Sequence, residues 1–173
     1  MVSKTKFQQR TDLLFGIETI REEQKTRLAN ILSSALREHG FSKITKRFDG
    51  QRKSTLTFRF EKRHEDHTCD WIEAVFCKYH GRQFQISMGK ISMNAPFAPK
   101  RIGNLVRRKG QLYYFWGARA WLPLRDFVFA RASKRVIDIL PQAIHFLETG
   151  QAERNVYGRE WTSEDLERGW LES

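Results

Sequence analysis

The chain has 173 residues, 40% of them hydrophobic, with 31 Lys and Arg against 20 Asp and Glu for a net charge of +11. An aromatic content of 13% argues against a disordered chain, and no stretch approaches the roughly 18 consecutive apolar residues that span a bilayer. Two cysteines make no disulfide framework and the N-terminus lacks the apolar core of a signal peptide, so the expected setting is the cytoplasm.

Residues 1–18 read as an N-terminal extension, in which Asp12 to Ile17 suggests a short turn or helix weakened by Gly16. Thr19-x-x-Glu22 is a capping-box pattern, pairing an N-cap hydroxyl with a carboxylate that reaches back to it. Leu28, Ile31, Leu32, Ala35 and Leu36 then follow the three-and-four spacing of one buried stripe. His39-Gly40 closes the segment, glycine being suited to the left-handed position after a helix. The pattern predicts an amphipathic helix over residues 20–39.

Beyond Gly40 the period changes from 3.6 to 2. Residues 54–61 alternate, with Leu56, Phe58 and Phe60 on one face, and residues 42–48 are the expected partner strand across Asp49-Gly50. Residues 69–79 form a third strand, dividing Trp71, Val75 and Tyr79 from Ile72, Ala74 and Phe76. Residues 82–93 form a fourth, with a bulge expected at Gly89 because the apolar phase moves to Ile91 and Met93. Pro96 and Pro99 mark residues 94–103 as a loop. Residues 104–106 and 111–116 read as a hairpin whose tip is Arg107-Arg108-Lys109-Gly110.

A last helix follows Pro123, kinked or restarted at Pro141 and ended by Gly150, with Val136, Ile137, Leu140, Ile144 and Leu147 toward the sheet. The expected fold is therefore α+β: an N-terminal amphipathic helix, an antiparallel β-meander of about four to six strands, and a C-terminal helix on one face of the sheet. These make one domain over residues 19–150. Residues 151–173 are an acidic C-terminal tail, in which Thr162-x-x-Asp165 caps a short helix carrying Leu166 and Trp170. The tail reads either as a helix packed on the domain or as an acidic flap over a basic surface.

That basic surface is the main functional signal. Residues 74–125 contain no Asp or Glu but ten Lys or Arg: Lys78, Arg82, Lys90, Lys100, Arg101, Arg107, Arg108, Lys109, Arg119 and Arg125. Ten of the eleven excess positive charges therefore sit in this segment, because the remainder carries 21 basic and 20 acidic residues. Such a concentration, interleaved with aromatics, is the electrostatic footprint of a polyanion-binding surface. The expected contacts are Arg107, Arg108 and Lys109, flanked by Lys100, Arg101 and Arg119, with nucleic acid as the foremost ligand. Tyr113 to Trp116, apolar on both faces, read as core rather than as a stacking platform.

Two other classes compete with this reading. A cationic face also suits an acidic protein, as in a protein-interaction module of the inhibitor or immunity and antitoxin kind. An enzyme would use the polar run His64-Glu65-Asp66-His67, whose imidazoles have metal-ligand character. Cys69 and Cys77, at the two ends of one strand about 26 Å long, cannot share a metal. Asp70 and Glu73 fall on opposite faces of that strand and do not converge as a carboxylate pair. No phosphate-cradling, dinucleotide-binding or hydrolase motif is present, so a non-catalytic role with no cofactor or metal is expected.

Overall fold

The computed structural model describes residues 22–44, 55–77, 83–107, 115–116 and 125–160. Helix α1 (Glu22–Arg37) presents Leu28, Ala29, Leu32 and Leu36 as fully buried side chains, the stripe expected from the spacing. It stops as the chemistry of Gly40 dictates: Gly40 adopts a φ of 81°, and the Phe41 N–H turns back to donate to the Leu36 carbonyl at 3.1 Å. Thr19 lies outside the described residues.

The strands are β1 (Ser42–Ile44), β2 (Thr55–Arg63), β3 (Thr68–Cys77), β4 (Gln83–Ser92), β5 (Ala95–Leu105), β6 (Phe115–Trp116) and β7 (Val156–Glu160). They form one antiparallel sheet in the order β1-β2-β3-β4-β5-β7, with β6 also paired to β4. Between β6 and β7 runs helix α2 (Arg125–Thr149), which passes through Pro141 without interruption. Pro141 is solvent-exposed, while Leu140, Ala143 and Ile144 beside it are buried, so packing holds the turn that lacks an N–H. Gly150 ends the helix at a φ of 80°.

Both helices lie on the same side of the sheet. Phe60, Ile72, Ala74, Phe76, Phe84, Ile86, Met88 and Leu105 project from that side into a core shared with α1 and with Val136, Leu140, Ala143, Phe146 and Leu147 of α2. Of the two faces expected for β3, the one bearing Ile72, Ala74 and Phe76 is the core face. Phe146 seats α2 on a notch left by two glycines. Gly103 of β5 and Gly158 of β7 are cross-strand partners, and a Cβ on Gly158 would lie 2.7 Å from Phe146 Cζ.

Three local expectations are corrected. Residues 95–105 are strand rather than loop: Pro99 pairs with Ile91 where the β4–β5 register shifts, a site at which a missing N–H is tolerated. The hairpin joining 104–106 to 111–116 is not formed by the described residues. Asn104 is paired on one side with Ser87 and on the other with Tyr157, whereas Phe115 pairs with Phe84 of β4. Gly89 is not a bulge against β3, whose register runs evenly past it. It is glycine because Trp71 of β3 lies over it, with Trp71 Cζ2 and the Arg101 carbonyl oxygen each 2.7 Å from where a Cβ would be. The apparent change of phase arises because Lys90 keeps the inward position as a charged residue.

Strand β7 was not expected from the sequence. It places part of the segment read as acidic tail inside the sheet, while residues 161–173, with the short helix expected there, lie outside the described residues.

Candidate nucleic-acid interface

Lys62, Asp70, Lys90 and Arg101 are cross-strand neighbours in one row at the end of the core. Asp70 is 2% exposed; His64 Nε2–H donates to its Oδ2 at 2.7 Å, and its Oδ1 faces the Lys90 ammonium at 3.3 Å, an ion pair without hydrogen-bond geometry. Arg101 Nη1 donates to the Leu147 carbonyl at 2.6 Å, setting a cation at the C-terminal end of α2, where the unpaired carbonyls concentrate negative potential. Lys90 and Arg101 thus serve the fold. Asp70→Asn, which keeps the shape but removes the charge between His64 and Lys90, is expected to lower stability by about 2 kcal/mol in urea unfolding. An unchanged midpoint would show that the row is electrostatically idle.

The same turn answers for the polar run. Asp66 Oδ1 accepts from the Thr68 hydroxyl at 2.6 Å and from its backbone N–H at 3.0 Å, and these bonds hold the Asp66 carboxyl below its usual range. His67 takes a φ of 58° in the turn, and its carbonyl accepts from the Met93 N–H at 2.7 Å. His64 is engaged with Asp70 while His67 is exposed, and among the described residues no three His, Cys, Asp or Glu side chains gather as a metal-ligand group. Cys69 is buried, which pushes its thiol pKa up and makes it a poor nucleophile. Asp70 and Glu73 diverge as expected, Asp70 being buried among the core residues while Glu73 is half-exposed.

The remaining cations separate by place. Lys100 and Arg107 are exposed at either end of the inner half of β5, whereas Arg108, Lys109 and Arg119 lie outside the described residues. Arg107 is anchored through its backbone. Its carbonyl accepts from Asn155 Nδ2 at 3.2 Å and from Arg135 Nη2 at 3.2 Å, and Asn155 also donates to the Val106 carbonyl at 3.0 Å. Gln142 of α2 holds Asn155 in turn, its Oε1 accepting the Asn155 N–H at 3.0 Å. The start of the Arg107-Arg108-Lys109 run is therefore fixed to α2.

That anchorage places Arg107 beside cations that a count along the chain passes over. Arg131, Lys134 and Arg135 are exposed on α2, at the three-and-four spacing that puts side chains on one helix face. Phe127, 64% exposed, stands one turn before Arg131 on the same stripe. Asp138, also exposed, is the nearest carboxylate along the helix; Asp126 accepts from Gln24 Nε2 at 2.7 Å. The signal was present in the sequence as Arg131-Ala-Ser-Lys134-Arg135, but Asp126 closes the acid-free segment before it. Comparison of the chain with known protein families, curated proteins and solved structures finds no match.

Proposed function

We propose that this protein binds nucleic acid, without catalysing a reaction on it, through a cationic surface that joins the Arg107-Arg108-Lys109 run to Arg131, Lys134 and Arg135 of α2. The observation that carries this reading is the Arg135 guanidinium on the Arg107 carbonyl, which joins two basic strips separated by more than twenty residues of chain. Several arginines on a shared surface engage phosphate oxygens bidentately, and each neutralised phosphate releases condensed counterions. The net charge of +11 favours the same ligand over a neutral one and speeds its encounter. Lys100 stands as a flanking phosphate contact; Arg101, committed to the end of α2, is the weakest of the expected contacts. A cytoplasmic setting accords with this role.

The testing experiment is fluorescence anisotropy with labelled DNA and RNA oligomers at salt from about 50 to 200 mM. Saturable binding with a log–log slope of several units is the expected result, since each phosphate contact contributes nearly one unit of slope. Absence of binding at the lowest salt would overturn the reading and leave the surface to an acidic protein partner.

A further inference from the structure

Both described helices pack on one side of the sheet, and among the described residues no element packs on the other. On that second side the register aligns Glu73, Ser87, Asn104 and Tyr157 in one row and Trp71, Gly89 and Ile102 in the next. From β4 to β7 the described side chains of this face are Gln85, Ser87, Ile91, Ile102, Asn104 and Tyr157, with no carboxylate among them. The nearest acids, Glu61 and Glu73, stand on β2 and β3, and Glu61 is occupied by Arg59, whose Nε lies 2.8 Å from Glu61 Oε1.

We infer that this strip of the sheet binds a single strand of nucleic acid, with an unpaired base stacked on Tyr157 and its edge met by Asn104 and Gln85. Tyr157 is 62% exposed, a large ring presented by a strand rather than by a loop. Stacking on such a ring accepts any base, because every base has a flat apolar face. Asn104 Oδ1 accepts from both Gln85 Nε2 and the Ser87 hydroxyl, and these bonds fix the two amides on adjacent strands. The fixed pair directs the Asn104 amide donors and the Gln85 carbonyl acceptor, neither of which has a partner among the described residues, toward one ligand edge.

A second flat surface lies further across the face, where the Trp71 ring covers Gly89 and the Arg59 guanidinium sits 5.0 Å from the ring centroid. Exposed Lys100 and Arg107 flank the strip, about 23 Å apart along the strand at about 3.3 Å per residue, which spans several nucleotides. A duplex keeps its bases stacked and paired, so it can use the two cations but neither the ring nor the amides.

This inference rests on the nucleic-acid reading above, and the test separates the two. Anisotropy is measured with a single strand of about 12 nucleotides and with the duplex of the same length. Tyr157→Ala is expected to weaken single-strand binding about fivefold to a hundredfold while leaving duplex binding within about twofold, and Tyr157→Phe to restore the single strand. Equal affinity of Tyr157→Ala and wild type for the single strand, or an equal loss on both ligands, would overturn the platform and leave the cationic surface standing. Failure of the wild type to bind either oligomer would overturn both readings. Photocrosslinking of an oligomer carrying 5-iodouracil to the unmodified protein provides the second measurement. Adducts on Tyr157 or Trp71 support the platform, and adducts confined to other residues overturn it.

Discussion

Gly158→Ala is expected to lower the stability of the fold by about 3 kcal/mol, at the upper end of what overpacking a core ordinarily costs. The added methyl would meet Phe146 Cζ at 2.7 Å, Gly103 Cα at 2.9 Å and the Ile102 carbonyl oxygen at 2.9 Å. The ring could move only by lifting α2 from the sheet, and the other two atoms are backbone within a paired strand. Neither relaxation is small. Gly103→Ala meets a single close atom, Phe146 Cε1 at 2.9 Å, with the Gly158 Cα at 3.3 Å, so it should cost less. Urea midpoints compare the two variants, and adding Phe146→Leu to Gly158→Ala should recover part of the loss but not all of it. A wild-type midpoint for Gly158→Ala would show that β7 does not press on β5 and α2 as described.

The second large effect concerns binding. Reversing Arg107, Arg108, Lys109, Arg131 and Lys134 to Glu should weaken nucleic-acid affinity at least a hundredfold at about 50 mM salt and flatten the salt slope. Arg135 is left intact because its guanidinium also holds the Arg107 carbonyl. The contribution of α2 is isolated by a matched pair. Arg131→Glu with Lys134→Glu changes the net charge by as much as Arg27→Glu with Arg37→Glu on the exposed side of α1. If the site lies where Arg107 meets α2, the first pair should weaken binding about tenfold or more and the second under threefold. Equal losses would mean that net charge alone draws the ligand. Because the substituted side chains on both helices are exposed, thermal midpoints should stay near wild type.

The elements most legible in the sequence were those whose burial repeats locally. Leu28, Leu32 and Leu36 in α1, and Val136, Leu140, Ile144 and Leu147 in α2, are buried at the spacing that announced them. The alternation in β2 and β3 separated core from outer face, and Gly40 and Gly150 ended both helices at positive φ. What escaped was fixed by partners distant in sequence. Pro96 and Pro99 look like loop residues until the β4–β5 register shift gives Pro99 a place opposite Ile91. Val156–Glu160 has little strand character of its own, and its position depends on Gly103 and Phe146.

The candidate site was legible to the same degree and for the same reason. A charge count along the chain found the Arg107 run, but it gave equal weight to Lys90, which pairs with Asp70, and to Arg101, which faces Leu147. It also stopped short of Arg131, Lys134 and Arg135, which only the fold brings to Arg107. Tyr157 carried no local signal, since its exposure depends on which face of β7 meets the helices.

The pairing of β5 with β7 bears on how the chain assembles as it is made. β1 to β5 pair with their successors in sequence, whereas Leu105 must wait for Val156. A chain synthesised from its N-terminus therefore builds a meander with one raw flank, the hydrogen-bonding groups of β5 from Arg101 to Leu105 lacking a neighbour until some fifty further residues have followed. An unpaired strand edge of that kind is a template for another chain. Synthesis of α2, which must seat Phe146 before Gly158 closes over it, sets how long the nascent protein spends in its most aggregation-prone form.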